Sequence, residues 1–217
     1  MGRLKHTIQS RAKNSARFQS IVRIAAKALA YDLTQVSRRA YREPCADLIY
    51  GLNPSSLDAV EISAGENTDW RELGCRSYCT LEWPDFDLCA EPLNPTLLGR
   101  FDLVIADQVF EHLFWPYRGG RNVYRLLKPG GHALLMTPFL IRVHGSPQDC
   151  SRWTEKGMQY FLAECGLPIE EVRTWSWGNR DTVRPALDTW PRMGWARDMP
   201  NERQCPIVGW ALARRAK

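Results

Sequence analysis

No apolar run in the 217 residues approaches the ~20 that a membrane-spanning helix needs, so a helical membrane protein is not expected. Basic residues occur at the N-terminus without the continuous apolar stretch of a secretory signal, and export is not expected either. Cysteine lacks a pattern. The seven (Cys45, Cys75, Cys79, Cys89, Cys150, Cys165 and Cys205) are odd in number and irregularly spaced, with no C-x-x-C. That argues against a disulfide framework and for reduced thiols in the cytoplasm. Cys75 and Cys79 offer two thiolates where zinc usually wants four ligands, so no metal site is expected. Neither a G-x-G-x-x-G nor a G-x-x-x-G-x-G loop is present, which argues against a nicotinamide dinucleotide enzyme. There is no internal repeat, no low-complexity linker and no recognised RNA-binding module.

What is present begins with an uneven charge. Residues 1–42 carry ten Lys or Arg against one acid, Asp32, a local charge of +9; with a net charge of +5, the remaining 175 residues sum to −4. A uniformly basic, sequence-specific nucleic-acid binder is therefore not indicated, whereas a basic arm on a slightly acidic domain is. Within the arm, Phe18, Ile21, Val22, Ala25, Ala28 and Leu29 form an apolar stripe at helical spacing. A surface helix packed on the domain, a lid over a cleft, a helix resting weakly on anionic lipid and an organelle transit peptide all fit that stripe. The chain thus divides into a basic helical arm or lid over 1–50 and a single domain over 51–217, a length suited to one core.

From residue 58 short β-rich runs alternate with helical stretches. Strands are expected at Ala59–Ile62, Ser77–Leu81, Phe86–Cys89, Phe101–Ala106, Ala133–Thr137 and within Pro206–Arg215. A helix is expected over Pro116–Leu127, with Pro in its first turn and Lys128-Pro129-Gly130-Gly131 as the turn that ends it. A second begins after Thr154, buries Met158, Phe161, Leu162 and Cys165, and stops at Gly166. Such alternation implies an α/β fold with a doubly wound, mostly parallel sheet and an N-terminal helical extension. Ligands of these sheets bind beyond the carboxyl ends of the strands. The residues to read are those just after each strand: Glu61, Ser63, Gly65 and Asn67; Glu82; Glu91; Asp107 and Gln108; and the polar stretch from His144 to Thr154.

In order along residues 57–167 stand VEISAG, LEW, FDLVIADQVFEHL, YRLLKPGG, LLMTPF and HGSPQDCSRWT. The chain here resembles the class I S-adenosylmethionine-dependent methyltransferases, and the last segment resembles a subset of small single-domain members. The resemblance implies a Rossmann-like methyltransferase fold, S-adenosyl-L-methionine as cofactor and a small-molecule, natural-product or sugar acceptor methylated on O or N. The family loop runs acid-x-Gly-x-Gly-x-Gly; here those positions are Glu61, Ser63, Gly65 and Asn67, with two glycines replaced. Serine is tolerated there at negative φ, and asparagine accepts the left-handed region. By the same resemblance Glu61 and Gly65 flank the methionine and ribose, Glu82 binds the ribose hydroxyls, Trp83 lies against the adenine and Glu91 meets its amino group. Asp107 and Gln108 border the methionine end.

Methyl transfer from a sulfonium needs alignment, and a base only where the acceptor must lose a proton early. Of the four histidines, His6 lies in the arm and His132 starts a strand. His144 is the candidate base or acceptor ligand, with Asp149 orienting it; alternatively Asp149 and Arg152 form a structural ion pair. His112 serves catalysis or caps and orients the cofactor pocket. Trp175, Trp177, Trp190, Trp195 and Trp210 are core residues or walls of an acceptor pocket. Two other readings stand beside this one: a non-catalytic descendant, suggested by the altered loop, and a nicotinamide-dependent reductase, suggested by the Tyr124-x-x-x-Lys128 spacing. An N/D-P-P-Y/F amino-methylation motif is absent, and a homodimer is compatible with the sequence.

Overall fold

The computed structural model describes residues 32–64, 69–194 and 199–217, together with isolated positions 22, 27 and 29. Most of the expected N-terminal stripe, and Gly65, Asn67 and Trp195, lie outside the described residues.

In chain order the elements are β1 (Asp32–Gln35), α1 (Val36–Tyr50), β2 (Asp58–Ile62), β3 (Ser77–Leu81), β4 (Phe101–Asp107), α2 (Pro116–Leu126), β5 (Leu127–Pro138), α3 (Glu155–Glu164), β6 (Val172–Trp177), α4 (Arg180–Ala186), β7 (Arg192–Gly194) and β8 (Val208–Arg214). Six strands make one sheet in the order β3-β2-β4-β5-β8-β6. β3, β2, β4 and β5 run parallel, and β8 inserts antiparallel between β5 and β6. This is the Rossmann-like, mostly parallel arrangement expected. β1 and β7 pair antiparallel as a separate two-stranded ribbon.

The central strands are nearly continuous apolar runs because helices cover both faces. Their period of two sends alternate residues to opposite sides. Val60, Ile62, Val104, Ala106, Ala133 and Leu135 pack on one side with Val123 and Leu126 of α2 and Met158, Phe161 and Leu162 of α3. Ala59, Leu103, Ile105, Leu134, Met136 and Leu212 face the other, against Tyr41, Cys45 and Ile49 of α1 and Ala186 of α4. Thus α1, inside the expected arm, carries a buried i, i+4, i+8 stripe and belongs to the sheet's own core. α2 and α3 touch closely: a Cβ on Gly120 would lie 2.4 Å from Cys165 Sγ, so only glycine fits there. The Thr154 side chain caps α3 by accepting from the Gly157 N–H at 3.0 Å.

Two local expectations are corrected. Phe86–Cys89 is a turn rather than a strand, which leaves β3 as the sheet edge. Its Asp87 accepts from the Cys89 N–H at 2.8 Å, a local bond that competes with strand pairing. Lys128–Gly131 does not separate α2 from a later strand but sits within β5, as an irregularity between the Phe101↔Leu127 and Leu103↔His132 pairs. Gly130 has φ 81 there, a left-handed conformation that costs glycine little. Lys128 donates to Asp58 at 2.9 Å and to Asp102 at 2.8 Å, tying together the amino ends of β2 and β4. No helix among the described residues is long and apolar enough to cross a membrane.

Candidate functional site

The carboxyl ends of β2, β4 and β5 open into a cleft of about 350 Å³, in the range of small-ligand sites. Glu61, Ser63 and Ala64 come from the end of β2; Asp107, Gln108, Glu111 and His112 follow β4; Pro138, Ile141, His144 and Ser146 follow β5. Gln35, Ser37 and Arg38, where β1 passes into α1, complete the lining with Trp190 beside β7. The Val36 N–H donates to the Pro191 carbonyl at 3.0 Å, so the ribbon fixes this roof.

The floor is held by polar contacts between residues distant in sequence. Glu61 is only 1% exposed, and the Tyr78 hydroxyl donates to its carboxylate. The Tyr41 hydroxyl donates to Asp107 Oδ1 at 2.7 Å, and Trp70 Nε1 to Asp107 Oδ2 at 3.1 Å, with Arg38 4.0 Å from the same oxygen. Burial, and then the neighbouring Asp107 carboxylate, push the Tyr41 hydroxyl well above its ordinary pKa, so it stays a donor. Ser63 and Gln108 both adopt left-handed backbone, at φ 52 and 58. The serine therefore takes up the conformation for which the family loop uses glycine, rather than the negative φ at which it would be tolerated without cost. Such strain costs about 1–3 kcal/mol and concentrates at functional sites.

Beyond β4, Glu111 is fully buried, and neither carboxylate oxygen accepts a hydrogen bond of good geometry from a described residue. Burial pushes its carboxyl up to about 8, although its own backbone N–H and Arg152 act in the opposite direction. His112 Nδ1 contacts the Gln148 carbonyl oxygen, which can only accept; Nδ1 therefore carries the proton. His112 Nε2 is left facing Glu111 Oε1 at 3.8 Å. His144 stacks edge-on to His112, centroids 5.0 Å apart, and to Trp190 at 5.2 Å. Its Nε2 is buried and has no partner among the described residues, and burial lowers its pKa.

The structure thus brings Glu61, Ser63, Asp107, Gln108, His112 and His144 to one cleft. Asp149 lies beside it with both oxygens engaged by Arg152, and Oδ2 also accepts from the His144 backbone N–H at 2.9 Å. It steadies the loop rather than the His144 ring, which realises the ion-pair alternative. Burial raises the Asp149 carboxyl, but the Arg152 and His144 N–H bonds outweigh it and hold the pKa below the ordinary value. Glu82, at the end of β3, accepts from the Ala64 N–H at 3.1 Å, joining two strand ends. Trp83 is 70% exposed, and Glu91 sits on the surface 3.8 Å from Arg118. Lys128 lies at the opposite ends of the strands, so the Tyr124-x-x-x-Lys128 spacing does not reach the cleft. Of the described tryptophans singled out, Trp190 alone lines the cleft; Trp210 is buried, and Trp175 and Trp177 pack on the core.

Sequence reasoning missed Glu111, Tyr41, Trp70, Tyr78 and Arg38. Glu111 had a signal: a single acid inside the apolar Val109–Leu113 stretch just past a strand end. Tyr41 and Trp70 had none, since they reach Asp107 across 66 and 37 residues.

Residues 50–135 match the family model described as "Methyltransferase domain". Among solved structures, the chain is similar to an S-adenosylmethionine-dependent methyltransferase from Archaeoglobus fulgidus. That match has 11% identity, covers 82% of this chain and 97% of that one, and has a TM-score of 0.52. It is also similar to a Haemonchus contortus phosphoethanolamine N-methyltransferase 2 in complex with S-adenosylhomocysteine, at 11% identity, 82% and 53% coverage and a TM-score of 0.51. No curated protein matches the chain. At these identities the two structures speak for the fold alone, and the domain matched over residues 50–135 marks the chain as an enzyme of the methyltransferase type.

Proposed function

We propose that the protein methylates a small-molecule acceptor, on a hydroxyl or an amine, at the mouth of this cleft. The observation that carries the reading is the convergence of acids, amides and two imidazoles from three adjacent strand ends, β2, β4 and β5, on one cavity. Glu61 and the Ser63–Asn67 loop would hold the methionine and ribose part of the donor, Glu82 the ribose hydroxyls, and Asp107 and Gln108 the methionine end. Trp83 and Glu91 would border the adenine. The Glu82 oxygen bound to Ala64 leaves its second oxygen for a ribose hydroxyl.

In the reaction the acceptor heteroatom attacks the methyl carbon in line with the carbon–sulfur bond. That bond breaks with its electron pair on sulfur, leaving S-adenosylhomocysteine, and the acceptor proton must depart. His144, whose lowered pKa keeps it neutral near pH 7, would receive that proton or position the acceptor atom, and His112 would align the methyl end. Residues 43–217 sum to −4, which favours a small acceptor over a nucleic acid, and the seven free thiols suit a reducing, cytoplasmic setting. Because α1 packs in the sheet's core, the domain would begin before it rather than at residue 51, and the basic segment ahead of α1 is a candidate lid or weak contact to anionic membrane. Gln35, Ser37 and Arg38 already stand over the cleft.

Calorimetry with S-adenosylhomocysteine against NADPH tests the reading. Binding of the former alone is expected; binding of NADPH alone overturns it. A non-catalytic descendant would bind S-adenosylhomocysteine yet transfer no methyl group to any member of an acceptor panel of phenols, sugars and amines.

A further inference from the structure

Three ligand-type side chains meet at the floor of the cleft with no donor between them. Glu111, His112 and His144 each present an oxygen or ring nitrogen, and these atoms all lie within 4.8 Å of one another. Glu111 is fully buried and neither oxygen has a hydrogen-bond partner among the described residues, which leaves both lone-pair sets available to a cation that displaces its proton. His112 turns Nδ1 to the Gln148 carbonyl, which can only accept, and Nε2 toward Glu111. His144 Nε2 is likewise buried and unpartnered. A histidine that donates one ring N–H to a backbone carbonyl while aiming the other nitrogen inward has the arrangement of a metal ligand with its outer-shell support. The neighbouring Gln148 side chain donates back to the His112 carbonyl, which locks that pairing in place.

We propose that Glu111, His112 and His144 form a binding site for one divalent transition-metal cation, and that the cation holds the acceptor's oxygen in the cleft. One carboxylate and two imidazoles suit manganese, iron, cobalt or zinc as divalent ions, rather than the all-oxygen sites of calcium. Three protein ligands leave open positions, which here face the cavity. The role in acceptor binding rests on the methyltransferase reading; the metal site itself does not. With the cation bound, His144 is a ligand rather than the base. A hydroxyl coordinated to the cation becomes more acidic, its proton leaves to solvent, and the resulting oxygen attacks the methyl carbon while the carbon–sulfur pair stays on sulfur. The donor supplies the methyl group and no electron is exchanged.

The test uses the full chain stripped with a chelator and titrated with Co²⁺, followed by visible absorption and calorimetry. One Co²⁺ per chain is expected, with ligand-field bands and no thiolate-to-cobalt charge-transfer band, which separates this site from the cysteines. Glu111→Gln and His144→Gln should each weaken binding at least tenfold, with folding checked by circular dichroism. If Glu111→Gln fails to fold, His144→Gln alone decides, because its half-buried loop position tolerates the change. Absence of stoichiometric binding to the intact chain, or equal affinity in His144→Gln, overturns the proposal. S-adenosylhomocysteine calorimetry on the same samples separates the two conclusions. Cofactor binding without Co²⁺ binding sinks the metal site alone, and Co²⁺ binding without cofactor binding sinks the proposed function alone.

Discussion

The strand ends fall into two unlike groups. Past β4 and β5, Asp107, Glu111, His112 and His144 are buried or half-buried and held by Tyr41, Trp70 and Gln148 from other parts of the chain. Past β3, Glu82 has one bond to Ala64, Trp83 is mostly in solvent, and Glu91 pairs with Arg118 on the surface. The first group is organised before any ligand arrives, as a reacting centre must be, since misplacement there directly costs rate. The second is open and lies outside the lining of the cleft. Under the proposed reading, substitutions in the two groups should separate turnover from affinity.

The largest contrast is expected at His144. His144→Ala should lower turnover on the order of 10²–10⁴-fold while S-adenosylhomocysteine affinity stays within about twofold, measured by single-turnover assay and calorimetry. Full activity in that variant would erase the distinction between the groups.

Next comes the pH dependence created by Glu111. The folded carboxyl keeps its proton up to about pH 8, whereas the unfolded one loses it near its ordinary value of 4.5. The folded state therefore binds more protons between those limits. Stability is fullest below about 4.5, declines as pH rises through the window and levels off above about 8. Kept free of metal with a chelator, the parent should lose at most about 5 kcal/mol across it, at about 1.4 kcal/mol per unit. Glu111→Gln should remove most of that slope; parallel denaturation curves for the two proteins would place the buried carboxyl elsewhere in the titration.

Asp107→Ala leaves the Tyr41 hydroxyl buried without its acceptor and should cost about 1–3 kcal/mol in urea unfolding, with a parallel loss of cofactor affinity. Tyr41→Phe in the same background should then add little, because the two changes remove one interaction. In the open group, Glu82→Ala should weaken S-adenosylhomocysteine by about tenfold, or about 1.4 kcal/mol, with turnover at saturation nearly intact. An unchanged affinity would move the ribose contact to another residue.

The architecture was legible because alternating apolar runs and turn residues report local periodicity. β3 was read with its observed bounds, and β2, β4 and β8 lie close to the expected runs, but β5 starts at Leu127, well before the expected Ala133, and β6 was not expected. The positions past each strand end were legible too, since a parallel sheet delivers them to one side. What failed depended on local competition or long range. Phe86–Cys89 alternates like a strand but closes on its own Asp87, and Asp149 stands near His144 in sequence yet spends its oxygens on Arg152 and a backbone N–H.

The sequence by itself determined a doubly wound sheet and the order of its strand-end residues, because each follows from spacing within one segment; the methyltransferase chemistry came from the resemblance of its motifs to a known family. Only the tertiary structure decided that α1 belongs to the core, that Tyr41 and Trp70 share Asp107, and that Glu111 faces two imidazoles without a donor. Those facts arise where segments tens of residues apart are pressed together, and burial, not composition, sets the charge each group carries there.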